Sequence, residues 1–147
     1  FEQRMKETDR SPLKHALEAG DCEAAEDFIN RQIADTISYY DYAENFYHGF
    51  MAGLLTNIGG YRVKSNRESG NGRPDIVMTE SKFRGRAMIL ELKISDTIQG
   101  MEKKCEEAFT QMKEQNYAVT LAEDGYQPIL KYAICFFKKG CMVKKAE

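Results

Sequence analysis

Three residues of this chain, Asp75, Glu91 and Lys93, have the types and spacing to do chemistry. Asp75 sits in Arg73-Pro74-Asp75-Ile76-Val77, which opens a short β-prone run, and sixteen residues later Glu91 and Lys93 interrupt the apolar run Ala87-Met88-Ile89-Leu90-Glu91-Leu92-Lys93-Ile94. Alternate side chains of a strand share a face, so Glu91 and Lys93 are expected to point the same way from a strand otherwise built for burial. Buried charges that do nothing are costly. If the strands expected at 74–79 and 86–94 pair as neighbours, about 4.8 Å apart, Asp75 and Glu91 come side by side and repel unless something positive lies between them. A hard divalent cation with oxygen ligands, Mg²⁺ or Mn²⁺, meets that need. Lys93 beside it could polarise a phosphate or help deprotonate an attacking water.

The elements that must position these groups can be traced along the chain. Ser11-Pro12 offers a cap and a helix-starting proline, for a helix ended by Gly20. Asp21 caps a second helix over about Cys22–Ile37, with Ala25, Phe28, Ile29 and Ile33 at helical spacing. Asp41 caps a third over about Tyr42–Ile58, stopped by Gly59-Gly60. This helix is apolar nearly all round, as a helix buried on most sides is. Glu44 and His48, four apart on one face, are its main polar interruptions. Tyr61–Ser65 alternates like a half-exposed strand, and residues 66–72 read as a turn-rich loop. After the 86–94 strand, Ser95 or Asp96 caps a long helix to about Asn116, with Ile98, Met101, Cys105, Ala108, Phe109 and Met112 as its apolar stripe. A loop holding Gly125 and Pro128 leads to a strand near Leu130–Phe137 and a last strand at Cys141–Lys144. The connection through the long helix is long enough for a right-handed parallel crossover. An α/β fold with a mixed sheet and packed helices follows.

At 147 residues, 42% hydrophobic and 30% charged, the chain has the composition of an ordinary soluble domain with a real core. It opens on Phe1, which suggests a fragment of a longer protein. No apolar stretch approaches the roughly 20 residues of a membrane span, and a cytoplasmic location is expected. The four cysteines, Cys22, Cys105, Cys135 and Cys141, form no CxxC, and with two histidines a zinc site is disfavoured. A Cys135–Cys141 disulfide across a hairpin is disfavoured too, because nothing suggests secretion. The net charge of −2 hides an asymmetry. Residues 1–57 hold five basic against eleven acidic residues, net −6, and residues 58–147 hold sixteen against twelve, net +4. Seven of the basic residues, including Lys64, Arg67 and Arg73, fall within 62–86. Such a patch suits a phosphate backbone as well as plain solvent.

Pro74-Asp75 followed by Glu91-Leu92-Lys93, within the order αβββαβ, resembles the PD-(D/E)XK nuclease superfamily. The stretches Glu44–His48, Ser65–Asp75, Ile89–Lys93, Gln111–Tyr117 and Lys131–Phe136 look like a nuclease-type domain that follows an AAA-ATPase-like domain in many bacterial proteins. The resemblance covers about residues 40–145. It implies a restriction-endonuclease-like αβββαβ core, a mixed central sheet flanked by helices, and an N-terminal helical extension. The domain division it suggests is a helical linker at 1–38 and a nuclease-like domain at 39–147. It further implies that Asp75 and Glu91 bind Mg²⁺ or Mn²⁺ with the Leu92 carbonyl, and that Lys93 is catalytic. Glu44 would be the first-helix acid, and Gln111 would face the site from the helix after the Glu-x-Lys strand.

The function implied is a metal-dependent phosphodiesterase on DNA, or less readily RNA, in a longer ATPase-linked protein. Lys64, Arg67 and Arg73 are the candidate contacts to nucleic acid. His48 is either a satisfied core histidine or a partner of Glu44. Glu68 either supports the site or pairs with Arg73 within the loop. Two other readings stand beside the enzyme: a nucleic-acid-binding or regulatory module that no longer cuts, and a domain that docks onto an ATPase domain.

Overall fold

The structure is a computed structural model that describes residues 9–36, 44–66 and 73–146. A five-stranded sheet in the order β1-β2-β3-β4-β5 forms its middle layer. The strands are β1 (Tyr61–Ser65), β2 (Ile76–Glu80), β3 (Ala87–Ile94), β4 (Ile129–Phe137) and β5 (Gly140–Lys145). β1, β2 and β3 form an antiparallel meander, β3 and β4 run parallel, and β5 returns antiparallel to β4. The helices are α1 (Ser11–Ala19), α2 (Cys22–Thr36), α3 (Glu44–Thr56), α4 (Met101–Gln115) and α5 (Tyr117–Glu123). This is the mixed α/β architecture expected, a restriction-endonuclease-like sheet flanked by helices. Among the described residues no helix is long and apolar enough to cross a membrane.

Side-chain alternation along the strands splits the core in two. On one face Ile76, Met78, Met88, Leu90, Tyr132, Ile134 and Phe136 pack with α1, α2 and α3. Leu13, Leu17, Phe28, Ile29 and Ile33 belong to this same cluster, so α1 and α2 share one core with the sheet. Tyr47 of α3 is held at both ends, its ring stacked on Phe136 at 4.5 Å and its hydroxyl donating to the Lys138 carbonyl at 2.7 Å. On the other face α4 and α5 cover two smaller clusters. Val77, Ala87, Ile89, Met112 and Leu121 make one, and Met101, Cys105, Ala108, Ala133 and Cys135 the other.

Several local expectations are corrected. Ser11 is the first residue of α1 rather than its cap, and Asp9 Oδ1 accepts the Ser11 N–H at 3.0 Å. Asp21 caps α2 as expected, accepting from the Ala24 N–H at 3.1 Å. The long helix begins at Met101, not at Ser95 or Asp96. Ser95 instead continues the sheet, its N–H donating to the Phe136 carbonyl, while its hydroxyl bonds the Thr97 backbone. Thr97 Oγ1 accepts the Gly100 N–H in turn. Such local side-chain bonds compete with helix, and a Cβ on Gly100 would come within 2.9 Å of Ser95 Oγ, so the turn is closed to larger residues. Ile98 therefore leaves the apolar stripe and is 65% exposed. Residues 117–123, expected as loop, form α5, because Asn116 in the left-handed region ends α4 and redirects the chain, and Leu121 then reaches the core. Cys135 and Cys141 are free thiols on opposite faces, since Cys141 pairs with Phe136 across the hairpin.

The outer edge of β5 is closed by side chains of α2. Asn30 Oδ1 accepts the Cys141 N–H at 2.8 Å and Glu26 Oε1 accepts the Val143 N–H at 2.9 Å. Bare edge donors invite pairing with other chains. Asn30→Ala leaves the Cys141 donor without its partner. It should cost about 1–2 kcal/mol and lower the thermal midpoint by several degrees, read by calorimetry; an unchanged midpoint would show that water replaces the bond at no cost.

Candidate active site

β2 and β3 bring the signature carboxylates together. Ile76 pairs with Leu90, so Asp75, one residue ahead of β2, falls opposite Glu91. The two side chains clamp each other's backbone. The Asp75 N–H donates to Glu91 Oε1 at 3.2 Å, and the Leu92 N–H donates to Asp75 Oδ2 at 2.8 Å. Both are buried, Asp75 at 7% and Glu91 at 1% exposure. Glu91 and Lys93 lie opposite Ala133 and Cys135 of β4, on the face covered by α4. The strand-alternation argument thus holds.

Asp75, Glu91, Leu92, Lys93, Lys104 and Gln111 line a cavity of about 220 Å³ between β3 and α4. The Lys93 amino group donates to Gln111 Oε1 at 2.6 Å, which places Gln111 where the resemblance put it. Lys104 was not anticipated. It lies seven residues before Gln111, two helical turns along the same face, so the spacing from Gln111 was the available signal. Its amino group is 3.4 Å from Glu107 Oε2.

Burial pushes the Asp75 carboxyl up, against the opposing effects of the Leu92 N–H and the nearby His48 and Lys93 charges. Burial, then the Asp75 charge, pushes Glu91 up to about 8. A hydrogen bond between the two side chains favours the ionised form of Asp75 and the protonated form of Glu91.

The donors suit a hard cation. Glu91 Oε2 is buried without a hydrogen-bond partner, an orphaned oxygen in a cavity it shares with Asp75 and two lysines. Among the described residues no group of three or more His, Cys, Asp and Glu side chains is placed to hold a metal ion. Among the described residues, the carboxylates that line this cavity are Asp75 and Glu91. That scant set fits Mg²⁺, which keeps several of its waters, and not a closed zinc site.

The remaining candidates scatter. His48 is buried in α3 with its Nε2 2.6 Å from Ser65 Oγ, and it lowers the Asp75 carboxyl from across the sheet edge. Glu44 is the first residue of α3; its side chain lies outside the described residues, as do Arg67 and Glu68. Lys64 and Arg73 are exposed and line a second cavity with Pro74 and Tyr117. Arg73 forms no ion pair among the described residues, and its alternative pairing with Glu68 lies outside them.

Because the folded protein holds the Glu91 proton more tightly than an unfolded chain does, this site contributes most stability below the ordinary glutamate range. That contribution is lost as pH rises toward about 8. Glu91→Gln keeps the oxygen that accepts the Asp75 N–H and removes the charge. Its thermal midpoint, measured in chelator, should exceed the parent's by several degrees at pH 8.5 and match it near pH 5. Equal midpoints at both pH values would mean that Glu91 ionises without strain.

The sequence comparisons point the same way as the geometry. A family model of the PD-(D/E)XK nuclease superfamily matches residues 42–146, from the start of α3 through β5. No match was found among curated proteins. The matched span covers well over half of the 147 residues and contains the whole carboxylate–lysine cavity. The chain belongs to the PD-(D/E)XK nuclease superfamily.

Proposed function

We propose that this protein is a Mg²⁺- or Mn²⁺-dependent nuclease that hydrolyses phosphodiester bonds in DNA. The observation that carries the reading is the buried Asp75–Glu91 pair, with its orphaned oxygen, in one cavity with Lys93. Nucleases of this superfamily typically use divalent metals. Asp75 and Glu91, with the Leu92 carbonyl, are the residues that would hold the ion. A bound divalent cation supplies an acidified water and neutralises charge building on the phosphate.

The chain's own groups do the rest. Asp75 and Glu91 are pre-set by bonds to each other's backbone, so little side-chain freedom is left to lose when a ligand arrives. Lys93, anchored by Gln111 Oε1, is aimed into the cavity, where its amino group can hydrogen-bond a phosphate oxygen or hold the attacking water. Lys64 and Arg73 supply positive charge at the neighbouring cavity, and Arg67, outside the described residues, is a further candidate contact. His48 and Glu68 would support the site, and Glu44 would complete its acidic rim. The link to an ATPase-like domain in a longer chain and a division at residues 38 and 39 belong to the same proposal and rest on the resemblance, although α1 and α2 share one core with the sheet; a cytoplasmic setting is proposed from the sequence. DNA is preferred over RNA on the basis of the resemblance as well.

The test is cleavage of plasmid and single-stranded DNA with Mg²⁺ or Mn²⁺. Lys93→Ala should reduce kcat by about 10²–10⁴-fold, while calorimetry still detects Mn²⁺ binding. Asp75→Asn should lose both. If wild type and Lys93→Ala cut equally, Lys93 has no catalytic role. If wild type retains DNA but binds no Mn²⁺ and cuts nothing, the protein is a binding module instead.

A further inference from the structure

A second cavity, of about 520 Å³, opens beside the carboxylate site and is lined by Lys64, Ser65, Asn66, Arg73 and Tyr117, with Val77 at its base. Its size falls within the range of small-ligand sites. It shares a chain segment with the candidate active site, because Arg73 and Pro74 line this cavity and Asp75 lines the other. Arg73 and Asp75 are two residues apart, at most about 7 Å along an extended chain. Two contacts hold that segment in place: the Gln115 side chain donates to the Arg73 carbonyl at 3.2 Å, and the Asn66 N–H donates to the Asp75 carbonyl at 2.8 Å.

The lining is chemically uneven. Lys64 and Arg73 are exposed cations that form no ion pair among the described residues, in contrast to Lys82, Arg86, Lys104 and Lys144, which each meet a glutamate. Tyr117 is half-buried, its ring packed against the cluster of Val77, Ile89, Met112 and Leu121. A ring fixed by packing loses little freedom when something stacks on it. Exposed cations with no ion pair among the described residues, beside a fixed aromatic surface, make the combination that holds single-stranded nucleic acid, where phosphates meet charge and a bared base meets a ring.

We propose that this cavity is a subsite for one unpaired nucleotide of the substrate strand, its base against Tyr117 and its phosphate between Lys64 and Arg73. The proposal rests on the nuclease reading and sharpens it: the substrate is a single strand or a frayed end rather than uninterrupted duplex. A base still paired within a duplex has both faces covered by its neighbours and offers none to Tyr117. Cation spacing alone would not discriminate the two, since duplex and single strand both present phosphates.

The test reads binding without turnover, in the full chain carrying Lys93→Ala. Fluorescence anisotropy would compare a labelled oligothymidylate of about 12 nucleotides, the same strand with abasic sites, and a blunt duplex of equal length. Tyr117→Leu should weaken single-strand binding about tenfold and duplex binding by no more than about twofold. Tyr117→Phe should bind like the parent. Removing the bases should cost the parent about tenfold and cost Tyr117→Leu almost nothing. The proposal is overturned if the parent binds the abasic strand as tightly as the intact one, or if Tyr117→Leu loses equally on both strand forms. Should Tyr117→Leu fail to fold by circular dichroism, the abasic comparison on the parent decides alone. A protein that prefers the intact single strand but never cuts with Mn²⁺ upholds the subsite and sinks the nuclease reading by itself.

Discussion

Two carboxylates out of water and next to each other are the constraint around which this fold is arranged. Burial opposes the ionisation of both Asp75 and Glu91, and the Asp75 charge further opposes that of Glu91. They are held together, because each accepts a backbone N–H from the other's segment. The clamp works only if β2 and β3 keep one register. A shift of one residue would turn Glu91 to the opposite face, into the layer of α1, α2 and α3. The apolar alternation of β3, with Met88 and Leu90 on one side and Ile89 on the other, makes that shift costly. Register, apolar patterning and the acidic pair are thus one design.

The helices act on this pair from both sides. α4 crosses the sheet so that Met101, Cys105 and Ala108 pack near β4 while Met112 packs near β2 and β3. That path carries Lys104 and Gln111 over the carboxylates, and Gln111 fixes the amino group of Lys93. From the other layer, α3 brings His48 to Ser65 at the end of β1, close enough for its charge to act on Asp75. α1 and α2 stand far from the chemistry in sequence but complete the core beneath it. Glu18 of α1 meets Arg86 of the basic segment between residues 62 and 86, whereas Lys64 and Arg73 form no ion pair among the described residues.

The cavity between β3 and α4 sets the two buried carboxylates beside two amines, those of Lys93 and Lys104. The orphaned Glu91 oxygen and the raised carboxyls are unfavourable by themselves. Active sites commonly keep such strain, since a perfectly satisfied pair would have no reason to bind anything. The neighbouring cavity carries two exposed cations, Lys64 and Arg73, that form no ion pair among the described residues.

Much of this was legible in the chain. Asp75, Glu91 and Lys93 stand out because acids and a lysine are foreign to an apolar strand, and a period of two fixes which of them share a face. The strand segments and most of the helical stripes followed from the same periodicities, which depend on local geometry alone, while the core arrangement was implied by the family resemblance. Where neighbours several residues away compete for hydrogen bonds, the local reading failed: Ser95 looks like a helix cap but is spent on its own turn, so α4 starts late and Ile98 stays outside. Likewise α5 exists because Asn116 turns the chain and Leu121 finds the core, neither of which its short, β-branched sequence announces. The sequence alone determined which residues could do the chemistry, since residue type and strand parity need no partner to be known. Only the tertiary structure decided that Lys104 joins them, that Gln111 holds Lys93 and that Tyr117 stands beside Arg73, because those meetings depend on the crossing angle of a helix over a sheet, which no spacing along the chain records.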